Sequence, residues 1–108
     1  MICCLLACVA IYFVEAAIVT ESAQMFVEEL TVRSIAAAKT EYQQPERVDR
    51  LRKYHGDKAA WVLGAWTETW LARDFASWSV RDVLPDIACP LLVMHGDRDE
   101  FGSLAHPE

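Results

Sequence analysis

The stretch CPLLVMHGDRDEFG, Cys89 to Gly102, decides how this chain is read. Pro90 opens a short apolar run, Leu91 to Met94, bounded by His95 and Gly96 and then by acids that cannot continue a buried strand. The pattern predicts a buried β-strand that delivers Asp97, Asp99 and Glu100 to a loop. In an open α/β sheet, ligands and catalytic groups sit in the crevice outside the carboxyl ends of the strands. A carboxylate placed there is a candidate for chemistry, and Asp99 is the candidate here. The plain alternative is a solvated acidic turn, since Asp and Glu are common in turns that do no chemistry.

The whole sequence has 108 residues, 54% of them hydrophobic, which is enough for one small domain with a buried core. Ten basic and sixteen acidic residues leave a formal charge of -6, which argues against nucleic acid as a partner. The one basic run, Arg47, Arg50, Arg52 and Lys53, is interleaved with Asp49 and followed by Asp57, and reads as the wet face of a helix. Cys3, Cys4 and Cys8 crowd together while Cys89 stands far off, so the four cysteines make no disulfide framework. His55, His95 and His106 are dispersed, and no Cys or His group has zinc spacing, so neither metal nor cofactor is expected. Reduced thiols fit a cytoplasmic protein.

The opening MICCLLACVAIYFV, Met1 to Val14, is apolar like the middle of a secretory signal, yet no Lys or Arg comes before Arg33. Glu15 interrupts it short of the roughly 20 apolar residues that span a bilayer. It reads as a core helix from Ile2 to Tyr12, with no membrane expected as a partner and a signal or membrane anchor as the minority alternative. Ala16 to Thr20, with its β-branched residues, reads as a second buried strand.

Beyond an irregular ESAQMFVEEL, Thr31 is expected to cap a helix running to about Tyr42 with Val32, Ile35, Ala38 and Tyr42 on one face. Pro45 suits the first position of a further helix that Gly56 ends, with Val48 and Leu51 on its apolar edge. Asp57 is expected to cap the longest helix, Lys58 to about Ala72, where Ala59, Val62, Leu63, Trp66 and Trp70 recur at the spacing of one face. An aromatic stripe of this kind is usually core packing, and it can also wall a pocket for an apolar substrate, with Trp66 and Trp70 as the binding residues. Val80 to Leu84 forms a short turn, and Pro85 sends the chain back, extended, toward Cys89. Two strands separated by helices predict a parallel sheet with a helical excursion, because parallel strands need a crossover.

The strand ending in Val-Met-His-Gly, preceded by Ile-Ala-Cys-Pro and followed by Asp-Arg-Asp-Glu-Phe-Gly, resembles the α/β-hydrolase superfamily at the strand bearing the acid of its catalytic triad. In the pattern Gly-x-x-Asp the acid's position is Asp99. VEAAIVTESAQMFVEEL resembles the strand leading into the cap of that family, and residues 41–90 resemble the helical cap and its return to the sheet. The resemblance implies a partial α/β-hydrolase fold: residues 1–20 as part of the core, 21–87 as the helical cap, and 88–108 as the core strand and acid loop. It implies a serine-type hydrolase acting on an ester, an amide or a C–C bond next to a carbonyl, with a small-molecule substrate.

The family's nucleophile lies on a Gly-x-Ser-x-Gly turn, followed along the chain by the acid and then by a histidine. This sequence contains no Gly-x-Ser-x-Gly, and its only serine beside a glycine, Ser103, comes after the acid. His106 is the sole histidine downstream of Asp99 and reads as a surface residue before Pro107. The expectation is therefore an incomplete copy of a hydrolase, inactive by itself, since a triad aspartate works by orienting a histidine. Two other readings stay open: a non-catalytic module that binds a small molecule in the cap, and an interaction protein that self-associates or pairs through exposed sheet edges.

Overall fold

A computed structural model describes residues 17–108. The expected helix from Ile2 to Tyr12 and the three clustered thiols lie outside the described residues. Strand β1, Ile18–Glu21, is followed by helices α1, Glu29–Glu41, α2, Pro45–His55, and α3, Ala59–Leu71, and then by strand β2, Leu91–Met94. The two strands pair in parallel, Ile18 opposite Leu91 and Glu21 opposite Met94. The described chain is thus a small mixed α/β unit in which a helical excursion separates two adjacent parallel strands.

The excursion closes on itself at its base. Val27 N–H donates to the Trp78 carbonyl at 3.1 Å and Val80 N–H to the Met25 carbonyl at 2.8 Å, around an antiparallel bridge between Phe26 and Ser79. This neck brings the outgoing and returning chains together just beyond β1. Both carboxyl strand ends are also joined there, by Ser22 N–H donating to the Met94 carbonyl at 2.8 Å.

Within the excursion, α1 and α2 both pack on α3. Ile35, Leu51, Ala59 and Trp66 form the apolar centre, none more than 7% exposed. The stripe predicted on α3 is right in its spacing: Ala59 and Trp66 are buried, Val62, Leu63 and Trp70 are half-buried, and Trp61 on the opposite face is 71% exposed. Gly56 ends α2 as expected, with a φ of +54 that favours a residue without a Cβ. Arg52 pairs with Asp49 at 2.9 Å and Arg47 with Glu41 at 3.6 Å on the wet side of α2.

Four local expectations are corrected. Thr31 is not the cap of α1: the helix starts at Glu29 behind Glu28, and the Thr31 hydroxyl is turned inward to the Phe101 carbonyl. The buried positions of α1 are accordingly Thr31 and Ile35, while Val32 lies at the surface. Asp57 does not cap α3 either; it sits in a 3-10 turn, Gly56–Lys58, that carries the chain from α2 straight into α3. The strands are less buried than their apolar sequence predicts, with Val19 63% and Leu92 56% exposed, and the three described helices pack on one another instead of layering over the sheet.

Candidate functional site

Strand β2 delivers its loop at the joined carboxyl ends, and the loop folds around Asp99. Asp99 N–H donates to the Gly96 carbonyl at 3.2 Å, making a tight turn that needs no special residue at its centre. The Asp99 carboxylate then accepts two backbone N–H groups on one oxygen, from Phe101 at 2.8 Å and Gly102 at 3.2 Å to Oδ1. Its other oxygen, Oδ2, lies 3.9 Å from His95 Nε2 and carries no hydrogen bond among the described residues. The side chain is 18% exposed. Asp97 and Glu100, the neighbouring acids, are exposed.

His95 leaves the end of β2 with its side chain only 2% exposed. Its Nε2 lies 2.9 Å from the Gly102 carbonyl, an acceptor, so Nε2 bears a proton directed at it, and the ring's other nitrogen is Nδ1. That Nδ1 is buried with no partner. Gly102 is held between two imidazoles: a Cβ there would stand 3.0 Å from His106 Cδ2 and 3.3 Å from His95 Cε1.

A second polar group, which the sequence reading did not assemble, lies against the first. Glu28, the residue preceding α1, accepts Ser103 N–H at 2.6 Å and His106 Nε2–H at 3.0 Å on Oε1, and the Ser103 hydroxyl at 2.9 Å on Oε2. Met25 N–H donates to His106 Nδ1 at 3.1 Å. His106 is therefore not the surface histidine expected: its side chain is fully enclosed, because both ring nitrogens find partners on the neck. Phe26 lies against the ring at a centroid distance of 4.3 Å. Gln24 Nε2 donates to the Phe101 carbonyl at 2.6 Å, beside Thr31.

The electrostatics follow from burial and partners. Burial by itself would raise the Glu28 carboxyl, but the two bonds from Ser103 and the imidazole of His106 outweigh it and hold the group below the ordinary range. Burial pushes His106 down and Glu28 pulls it up; with His95 and Arg81 adding repulsion, the balance is downward, toward the neutral ring. No sequence signal announces this group, since its members are 75 to 81 residues apart.

Ser103 and His106 do not form a nucleophile and base. Both donate to the same carboxylate, and the only acceptor nitrogen of His106 is taken by Met25, so no imidazole nitrogen is placed to take the proton of the Ser103 hydroxyl. Trp66 joins the acid loop through an edge contact with Phe101 at 5.5 Å, with its Nε1 buried and unpartnered. Trp70 belongs elsewhere, to a cluster with Phe75 at 5.3 Å and Trp78 at 5.7 Å. Near that cluster, Thr69, Ala72, Asp74 and Phe75 line an open depression of about 280 Å³.

Among the described residues, no three His, Cys, Asp or Glu side chains gather as a metal ion requires, and no helix is long and apolar enough to cross a membrane. The chain matches no protein-family model, no curated protein and no solved structure at a significant level.

Proposed function

We propose that this chain is an α/β-hydrolase-like unit of the serine type, with residues 21–87 as the cap and Asp99 as the triad acid. The observation that carries the reading is the carboxylate of Asp99 at the joined carboxyl ends of two parallel strands, with Oδ1 pinned by two N–H groups and Oδ2 free. A triad acid needs that division: one oxygen fixed by the backbone so that the other holds an imidazole in the working tautomer and stabilises its charged form. The helical excursion between adjacent strands supports the cap, and Trp66, packed on Phe101 next to the acid, supports an apolar wall for the substrate. The reaction class is cleavage of an ester, an amide or a C–C bond next to a carbonyl.

Among the described residues no serine hydroxyl is hydrogen-bonded to a histidine, so this chain by itself is expected to leave activated esters at the buffer rate. The test supplies the missing groups. A polypeptide carrying a Gly-x-Ser-x-Gly turn and a triad histidine, fused or added in trans, restores ester turnover. In the restored enzyme, Asp99→Asn lowers turnover by about four orders of magnitude, the loss that follows the same change in a serine-protease triad. An unchanged rate after that substitution removes Asp99 from the mechanism.

A second reading, self-association through the sheet, is favoured by the exposure of Leu91 at 46% and Met94 at 43% beside Val19 and Leu92. Sedimentation across a concentration series tests it: a single monomeric species at all concentrations rejects it.

A further inference from the structure

Nothing in a hydrolytic mechanism uses the burial of His106, yet this residue ties the last part of the described chain to the neck of the excursion. The tie depends on one protonation state. Met25 N–H needs a bare Nδ1 as acceptor, while Glu28 Oε1 needs the proton on Nε2, so the ring is neutral and has a single permitted tautomer. A second proton can only go on Nδ1, where it faces the Met25 N–H donor at 3.1 Å. Two donors cannot share that contact. Met25 is itself part of the neck, accepting Val80 N–H at 2.8 Å.

We propose that His106 is an acid-released latch: protonation at Nδ1 breaks its bond to Met25 and loosens the His106 end of the chain from the neck, while Gln24, Thr31 and Glu28 keep Phe101 and Ser103 tied.

The surroundings of the ring bear on this from every side. From the neck, Glu28 favours the charged ring and keeps its bond to Nε2. From the end of β2, His95 lies at a centroid distance of 6.0 Å, and the carboxylate of Asp99 stands beyond it, 3.9 Å from its Nε2. From the 3-10 turn Arg81–Asp86, the Arg81 guanidinium sits 3.7 Å above the Phe26 ring, whose own stacking partner is His106. A charged His106 would thus share Phe26 with a second cation. Burial and this cation act with the lost Met25 bond against Glu28, and the downward displacement of the His106 titration agrees with that balance. The imidazolium has no acceptor nitrogen in any orientation, so a ring flip cannot restore the Met25 bond.

The latch is tested on the full chain by amide hydrogen exchange, corrected for the intrinsic pH dependence of exchange, between pH values on either side of the His106 titration. Protection of the Met25 amide is expected to fall by about tenfold or more on the acid side, as a buried donor loses its acceptor, while the Ser103 amide, still bonded to Glu28, keeps its protection. The centre of α3 should keep its protection. His106→Asn, whose side-chain oxygen can still accept from Met25 but cannot be protonated, should abolish the step; His95→Gln, which keeps a donor for the Gly102 carbonyl, should retain it. Imidazole nitrogen shifts of the unmodified chain give an independent reading even if a variant fails to fold, because they show directly which ring gains a proton at Nδ1. A step that persists in His106→Asn, a step lost in His95→Gln, or Met25 protection unchanged while His106 titrates would each overturn the proposal.

Discussion

The Glu28 carboxylate and the Ser103 backbone N–H meet at 2.6 Å across 75 residues of sequence. Through that contact the segment after β2 is locked against the residue that precedes α1, so the loop after β2 and the helical excursion are one structural unit rather than two neighbours.

Glu28 accepts three hydrogen bonds with its side chain only 18% exposed, and all three donors lose their acceptor without it. Hydrogen bonds to a charged group are worth about 1.5–3 kcal/mol each, but they are not additive around one carboxylate. Glu28→Ala is expected to cost about 3 kcal/mol in urea unfolding, and Glu28→Gln clearly less, since the amide oxygen still accepts. Equal effects of the two changes would mean that packing, not hydrogen bonding, holds the loop.

Thr31 separates a helix cap from a tertiary tie. As a cap it would tolerate Asp, a residue equally good at that position. Fully buried, with its hydroxyl on the Phe101 carbonyl, it should not. Thr31→Val is expected to cost about 1 kcal/mol by loss of the bond, and Thr31→Asp about 3 kcal/mol or more by burying a charge against a carbonyl oxygen. Thermal unfolding of the two variants measures the order, and a stable Thr31→Asp chain would return Thr31 to the role of cap.

Two glycines should respond in opposite directions to alanine. At Gly102 the new methyl meets His106 at 3.0 Å, in a ring pinned at both nitrogens, and overpacking of this kind costs about 1–3 kcal/mol. Gly64 lies inside α3 with nothing within 4 Å of a built Cβ, so Gly64→Ala is expected to stabilise by about 0.5–1 kcal/mol through helix propensity. Denaturant midpoints for the pair check both signs.

Acid should weaken the fold in two stages. His106 is held below its ordinary value of 6.5, so on acidification the unfolded chain takes up this proton before the folded one does. Its contribution is full above that value and is lost as pH falls from there through the folded value. Glu28 is also held below its ordinary value, 4.5, so its contribution persists to lower pH and disappears as pH falls through its own folded value. Urea midpoints measured from neutral pH downward should therefore decline first in the histidine range and again in the carboxylate range. His106→Asn should remove the first decline; a midpoint that rises on acidification through the histidine range would reverse the sign argued here.

The sequence by itself determined the elements whose cause is local. The apolar run Leu91–Met94 between Pro90 and an acidic loop is a strand, Pro45 and Gly56 bound a helix, and the recurrence of Ala59, Val62, Leu63, Trp66 and Trp70 fixes which side of α3 turns inward. The parallel pairing of β1 with β2 was legible too, because helices between two strands leave a crossover as the natural connection. Tertiary structure alone decided the partners of the polar side chains. Thr31 and Glu28 carry the same local signal, an acceptor near a helix start, and which of them stands outside the helix depends on Phe101, Ser103 and His106, all at least 70 residues away. His106 reads as surface in a string of letters because a polar residue near Pro107 has no periodic pattern to bury it. It is enclosed because Met25 offers a donor and Glu28 an acceptor at the spacing of an imidazole, and a buried polar ring is stable only where both of its nitrogens are matched.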